Sequence, residues 1–365
     1  GKPNLPTISV TLTNGLVDRD TLARKNETNL SESEHLSVKA GDIVYNMMRM
    51  WQGASGLAEK DGIVSPAYIV LAPNNLVSPL YASYLFKTQR LIYLFWAYSY
   101  GLTSDRLRLY FRDFSKIPVN VPDIKVQNRI SKIISDWDRA ICLTEALVKN
   151  SQSQKKVLLS SLLTGAFRHQ GFCGKKKIVR LKDVLIGKKI KGKKVVVSCN
   201  NIGMPYIGAA SFDGEFSNFT IDKEAVLCER KDLLVLWDGE YSGKATTNIR
   251  GVVSSTVVKY RVNLTKVDNQ YLNYCFLFDN QRIRSIREGS GIPHMPKGFD
   301  RWYKFWLPSI QEQGEIVAHL SSIDKQIGHL KKKLDCLLKE KKGLMQQLLV
   351  GKRLLSLNKL PRASS

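Results

Sequence analysis

Two acidic clusters are the first residues in this sequence whose types and spacing could do chemistry. Asp238-Gly239-Glu240 with Lys244, and Asp222 with Glu229 and Lys231, faintly resemble the carboxylate-plus-lysine sets that hold a metal ion in nucleases. Both patterns are short, and Asp-Gly is equally a turn signal. The five histidines (His35, His169, His294, His319, His329) are scattered, and His319 and His329 lie ten residues apart, too far along a helix to share one metal ion. The six cysteines (Cys142, Cys173, Cys199, Cys228, Cys275, Cys336) form no CxxC pair, which points to reduced thiols in a cytoplasmic protein rather than a zinc site or a disulfide framework. Phosphate-loop, dinucleotide, HExxH, GxSxG and NPPY-type methyltransferase motifs are all absent. The expectation is a chain with no catalytic residue and no metal ligand, a reader or scaffold rather than an enzyme.

Charge says what it would read. Lys and Arg number 56 against 32 Asp and Glu, a formal net charge of +24. Such an excess points to a polyanion, most often nucleic acid. The polar candidates for touching DNA are Arg49, Trp51, Gln52, Lys60, Tyr100, Arg106 and Arg108 in the first part of the chain. In the second they are Tyr241, Ser242, Lys244, Thr246, Asn248, Arg250, Arg284, Arg287, His294 and Lys297. Arg, Lys, Asn and Gln can pair with base edges and the others can hold phosphates. Any one of them alone is as easily an ordinary solvated side chain.

These loops need elements to position them, and two long helices dominate the pattern. Apolar residues at Ile316, Leu320, Ile323, Ile327, Leu330, Leu334, Leu337, Leu344 and Leu348 alternate steps of four and three, the seam of a coiled coil, with Lys341 the one break. A helix of about 40 residues is roughly 60 Å long and calls for a partner helix. The chain carries one, because the segment recurs without a gap at an offset of 186 residues. Pro122 lies under Pro308, Gln127 under Gln313, Asp138 under Asp324, Lys155-Lys156 under Lys341-Lys342 and Gly165 under Gly351. The first copy has its seam at Ile130, Ile134, Trp137, Ile141, Leu158 and Leu162, weakened by polar Thr144, Ser151 and Lys155. Those polar residues are either a register device or surface left for partner subunits to cover, and the second reading is preferred because a weak seam needs outside support.

The globular parts also repeat, loosely. Strands are expected over Thr7–Leu12, Asp42–Asn46 and Ile63–Leu71, and a single helix over Ser78–Phe95. Met204-Pro205-Tyr206-Ile207 echoes Leu5-Pro6-Thr7-Ile8, and Lys231-Asp232-Leu233-Leu234 echoes Gly41-Asp42-Ile43-Val44. Gly251-Val252-Val253-Ser254 echoes Gly62-Ile63-Val64-Ser65, and Gln281-Arg282 echoes Gln89-Arg90, read as closing a helix in each copy. The organisation is therefore 1–120 as a first globular domain, 121–165 as a long helix, 166–177 as a linker, 178–306 as a second globular domain, 307–353 as a second long helix and 354–365 as a tail. The second domain has a lysine-rich stretch, residues 178–203, ahead of its MPYI segment that the first domain does not match; the first domain is expected to be N-terminally incomplete or to lack an opening strand. No run of about 18 apolar residues suggests a membrane span, and no cleavable signal peptide is visible.

Two dissimilar globular units, each followed by a repeated long helix, resemble the specificity (S) subunit of Type I restriction–modification systems. The local segments GDIVYN at 41–46, GIVSPAY at 62–68, LPxxxEQ at 307–313 and KKGLMQQLLVG at 341–351 are similar to that family's. The first helix departs from the pattern at its start, with Lys125-Val126-Gln127 where the second has Gln311-Glu312-Gln313. The resemblance implies an α+β fold of two α/β target recognition domains, whose helices pair as an antiparallel coiled coil with pseudo-twofold symmetry. It implies that each domain reads one half of a bipartite, asymmetric site in double-stranded DNA and that the helices act as a ruler. Two modification (methyltransferase) subunits would dock on the scaffold carrying S-adenosylmethionine, and restriction (endonuclease/translocase) subunits would add ATP- and Mg-dependent translocation and cleavage. This chain itself would bind none of these cofactors. The alternatives are the specificity part of another multi-subunit restriction enzyme, a metal-dependent nuclease in its own right, or a coiled-coil protein whose charge binds nothing specific.

Overall fold

The computed structural model describes residues 5–22, 34–168, 171–289 and 291–349; His169 and the tail 354–365 lie outside them. The chain divides into two compact units, Gly1–Glu145 with Lys332–Ser365, and Ala146–Lys331. The division falls inside the long helices, so each globular part keeps a segment of both. Among the described residues no helix is long and apolar enough to cross a membrane.

In the first unit the strands are β1 (Ile8–Thr11), β2 (Gly15–Asp18), β3 (Leu36–Val38), β4 (Ile43–Asn46), β5 (Ser55–Leu57), β6 (Gly62–Val64) and β7 (Tyr68–Leu71). The central sheet runs β5-β4-β7, antiparallel throughout, with β1–β2 and β3–β6 as separate pairs. The stretch expected to be one strand over 63–71 is two, because Ser65-Pro66-Ala67 turns the chain and Tyr68 N–H closes on Ser65 O at 3.0 Å. The helix expected over 78–95 is also two, α1 (Pro79–Leu85) and α2 (Gln89–Ala97). Thr88 breaks it: its hydroxyl donates to Leu85 O at 2.7 Å and accepts from Leu91 N–H at 3.4 Å, capping the second helix. Gln89-Arg90 therefore opens a helix instead of closing one. The short α3 (Phe111–Phe114) follows, and then the 40-residue α4 (Ile124–Leu163).

The second unit holds β8 (Ile178–Arg180), β9 (Leu185–Lys191), β10 (Met204–Ile207), β11 (Phe219–Thr220), β12 (Leu227–Cys228), β13 (Asp232–Leu236), β14 (Ala245–Thr246), β15 (Gly251–Val253) and β16 (Val257–Val262). After them come α5 (Asn269–Phe278), α6 (Asn280–Ser285), α7 (Phe299–Trp302), β17 (Lys304–Trp306) and α8 (Ile310–Leu349). Its sheets are β14-β13-β16-β9, β11-β10-β15-β12 and β17-β8. β14-β13-β16 repeats β5-β4-β7, and the residues 178–203 that the first unit does not match supply β8 and β9. Among the described residues of the first unit, nothing pairs with the outer edge of β7.

The echoed segments mark shared devices. Asp42 and Asp232 are buried, and each carboxylate accepts the N–H three residues back, Lys39 and Glu229, at 2.9 Å, closing the turn ahead of the central strand. Gly62 and Gly251 are glycines for lack of room: a Cβ would fall 2.8 Å from Pro6 O and 2.4 Å from Pro205 O respectively.

The long helices run antiparallel within each unit. In the first unit Ile130 and Ile134 join Leu348 and Leu349 in a core with β4, α1 and α2. In the second, Leu159, Leu162 and Leu163 join Ile316 and Leu320 with β13, β16 and α5. No seam residue is exposed: Ile130, Ile134, Ile141, Leu162, Ile316, Leu320, Ile327 and Leu348 are buried, and Trp137, Leu158, Ile323, Leu330, Leu334, Leu337 and Leu344 half-buried.

The polar seam positions are not surface left for a partner. Thr144 and Ser151 are buried, and the Thr144 hydroxyl donates to Ala140 O at 2.7 Å. Lys155 is ion-paired with Asp324, and Lys341, the break in the second seam, with Asp138. Those two pairs are copies of one another at the 186-residue offset. In each, a tyrosine from the globular part completes the set: Tyr84 donates to Asp138 at 2.7 Å and Tyr274 to Asp324 at 2.9 Å. Each lysine also lies 5.7 Å from the ring centre of the same tyrosine. Burial, then the neighbouring carboxylate, raises both tyrosines above their ordinary range, so both stay hydroxyl donors at neutral pH. A charge that is satisfied in one alignment only is a register device, the reading the sequence had ranked second.

Candidate nucleic-acid interface

Gln127 and Gln313 tie the helix starts to the globular parts by the same three bonds. Gln127 accepts from Ser78 N–H at 2.9 Å and donates to Leu76 O and Pro122 O at 2.9 and 2.8 Å. Gln313 accepts from Asp268 N–H at 2.6 Å and donates to Lys266 O and Pro308 O at 3.2 and 2.9 Å. Both side chains are fully buried. The spacing Pro-x-x-x-x-Gln is thus a clamp: Pro starts the helix, and one turn in, the amide reaches back to the segment that caps α1 or α5. The second helix adds a buried fork, with Arg168 paired to both oxygens of Glu312 at 2.7 and 2.6 Å. Val126 occupies the equivalent place in the first helix, which is why the two helix starts differ in sequence.

On these rigid parts, the divergent loops gather at one end of the central strand. In the second unit the chain leaves β13 at Trp237, and Met295 N–H donates to Trp237 O and Gly239 N–H to Pro293 O, each at 2.9 Å. Arg287 donates to Glu240 O at 2.7 Å. Tyr241, Lys244, Arg284, Arg287, His294 and Lys297 therefore share one loop cluster. Ser242 belongs to it but is fully buried, so its hydroxyl faces protein. Thr246, on β14, is half-buried, while Asn248 and Arg250 sit at the opposite end of β13, where Asn248 N–H donates to Arg230 O at 3.1 Å. Lys189 and Lys191 join the cluster from β9: Lys189 lies 3.6 Å from the Trp237 ring centre and Lys191 pairs with Asp238 at 2.7 Å. Burial lowers the Lys189 ammonium below the usual lysine range. The lysine run at 188–194 was the signal for these two, but only the pairing of β9 with β16 brings them here.

The first unit has the same plan. Beyond β4, Leu109 N–H donates to Met47 O at 2.9 Å, and Tyr100 and Arg108 face each other across a strand-like bridge. Arg49, Trp51, Gln52, Tyr100, Arg106 and Arg108 are thereby brought to one end of the sheet, with the Trp51 indole N–H held by Met48 O at 3.0 Å. Lys60 lies at the other end and pairs with Asp18 at 2.8 Å.

Of the carboxylates that suggested a metal, Asp238, Glu229 and Asp222 are taken by cations or a turn. Asp238 pairs with Lys191, Lys244 with Asp213, and Glu229 with Lys231 at 3.0 Å and Arg261 at 3.4 Å. Asp222 caps Glu224 N–H at 2.8 Å. Among the described residues no group of three or more His, Cys, Asp or Glu is placed to hold a metal ion. The nuclease alternative is not favoured.

Fold and interface define a repeat protein with two units, each presenting a basic, loop-built surface on a sheet anchored to long helices. The profile described as the Type I restriction modification DNA specificity domain matches residues 1–150 and again 174–339, and the chain belongs to that family. The specificity subunit of the type I restriction enzyme MjaVIII of Methanocaldococcus jannaschii is 34% identical over 176 residues, 47% of this chain and 41% of that protein. The match thus spans less than half of that relative's length. The putative MjaX specificity subunit of the same organism is 23% identical over 335 residues, 86% of this chain and 78% of that protein. In fold, the chain is similar to the S subunit of a Type-I restriction-modification system from M. genitalium, with a TM-score of 0.58 and 14% identity, covering 89% of this chain and 86% of that one. A chain solved in work on complex assembly and conformational transition of the type I R-M system gives a TM-score of 0.57 at 15% identity, covering 94% and 91%.

Proposed function

We propose that this chain is the DNA-recognition subunit of a Type I restriction–modification complex, each unit reading one half of a bipartite, asymmetric site. The observation that carries the reading is the shared plan of the two units. Clamps, turn closers and register pairs are repeated residue for residue, while the surfaces at the end of β4 and β13 differ in sequence and are basic in both. A repeated frame with unlike loops suits a molecule that docks twice in the same way and reads different sequences. Helices of about 60 Å span nearly two turns of duplex at about 34 Å per turn, so their length sets the unread spacer. Catalysis belongs to partners: two modification subunits bearing S-adenosylmethionine, and restriction subunits using ATP and Mg.

The test is a randomised-site selection at physiological salt, with the chain bound to its cognate modification subunits. Two short motifs at fixed separation are expected, and exchanging residues 178–306 with those of a homologue should change one motif only. Binding with no enriched motif that fades as salt rises would leave only sequence-independent charge.

A further inference from the structure

The junction between α1 and α2 carries a charge reversal against its echo in the second unit. Phe86-Lys87-Thr88-Gln89-Arg90 stands where Phe278-Asp279-Asn280-Gln281-Arg282 stands between α5 and α6. In the second unit the set is closed on itself. Arg282 binds Asp279 at 3.0 Å and the Lys304 carbonyl at 3.0 Å, and Tyr303 donates to the Asp279 carboxylate at 3.0 Å. Lys87 replaces that carboxylate in the first unit, so the acid that neutralises Arg282 has no counterpart beside Arg90.

Lys87 and Arg90 line a cleft of about 620 Å³ between the start of α2 and the last turns of α8, within the first unit. Lys341, Lys342 and the amides of Gln346 and Gln347 line it too, and among the described residues no aspartate or glutamate does. Lys341 is neutralised by Asp138. Among the described residues no salt bridge joins Lys87, Arg90 or Lys342 to an acid, so three cations stay uncompensated. Lys87 is half-buried and donates to a neutral acceptor, Gly53 O, at 2.7 Å. Burial lowers its ammonium below the usual lysine range. A half-buried charge with no opposite charge beside it is unfavourable, and a bound anion would remove that cost.

The lining selects the anion. A carboxylate brings one charge and two oxygens. A phosphate group brings up to two charges and three acceptor oxygens, which suits one guanidinium and two ammonium groups on two helices. We infer that this cleft binds phosphate groups, of a free nucleotide or of the DNA backbone, and that the equivalent place in the second unit does not. Lys87 links the cleft to the first unit's loop cluster, because Gly53, whose carbonyl it holds, directly follows Gln52. Phosphate binding here goes beyond base reading and does not depend on it.

The experiment is a calorimetric titration of the chain, bound to its cognate modification subunits, with pyrophosphate and with magnesium-free ATP at physiological salt. Lys87→Asp installs the pairing of the second unit and should weaken both ligands by roughly tenfold or more, the worth of a charged hydrogen bond. Lys342→Gln, at an exposed position, should weaken them about two- to fivefold and melt at the wild-type temperature. A DNA duplex then separates the sources. If it displaces pyrophosphate, and Lys87→Asp flattens the slope of log affinity against log salt by about 1 to 2, the phosphates are those of DNA. A duplex that leaves pyrophosphate in place assigns the cleft to a free phosphate compound. Wild type and both variants indistinguishable in pyrophosphate affinity and in salt slope overturn the inference. So does succinate, a dicarboxylate, bound as tightly as pyrophosphate.

Discussion

Replacing Gln127 with alanine should loosen the start of α4 without touching the second unit. Three bonds are lost, but they are not equal. Leu76 is exposed, so water replaces the amide at its carbonyl, whereas Ser78 N–H is buried and is left without an acceptor. One buried orphan donor costs about 1–3 kcal/mol, and two modest bonds add about 1 kcal/mol more. The net loss is about 2–4 kcal/mol, or an increase of roughly 30- to 700-fold in local opening. Hydrogen exchange followed by mass spectrometry reads this directly. The peptide over 76–80 should accelerate by that factor, and the peptide over 266–270, held by Gln313, should not change. Gln313→Ala should give the reverse pattern. Gln127→Glu adds a sign test: a carboxylate facing the Leu76 and Pro122 carbonyls is disfavoured, so its folded-state pKa is raised. The variant should be most stable below about pH 4.3 and lose stability as pH rises through that folded-state pKa. Acceleration below about threefold at 76–80, or equal acceleration in both peptides, would refute the clamp.

Four further outcomes follow from the same geometry. Asp138→Ala strands the Lys341 ammonium and the Tyr84 hydroxyl and should destabilise the first unit by about 1–3 kcal/mol in urea melts, with Asp138→Ala/Lys341→Leu recovering part of the loss. Iodoacetamide at pH 8 should label Cys142, Cys173, Cys199 and Cys336 in the folded chain, and Cys228 and Cys275 only after unfolding. Burial pushes the Cys228 thiol up from 9.0 to about 11, so its contribution holds below the unfolded value and is lost as pH climbs from there through about 11; Cys228→Ala should flatten that alkaline decline. Arg284→Ala, in the second loop cluster, should relax one half-site by about 1–3 kcal/mol at the affected base, whereas Arg250→Ala, at the far end of β13, should leave base preference unchanged.

Much of this molecule is legible without coordinates, for a physical reason. The long helices declare themselves because one apolar stripe must recur every 3.5 residues to stay on a partner. The repeat is visible because the clamps at Gln127 and Gln313 and the pairs at Asp138 and Asp324 tolerate few other side chains. The echoes at Gly62 and Gly251 persist because no Cβ fits there. The tertiary structure decided what depends on partners distant in sequence. Lys341 looked like a flaw in a heptad until Asp138, 203 residues away, stood opposite it. Thr88 splits a helix that periodicity alone would continue. Lys60, Asn248 and Arg250 read like their neighbours, yet strand direction carries them to the other end of the sheet.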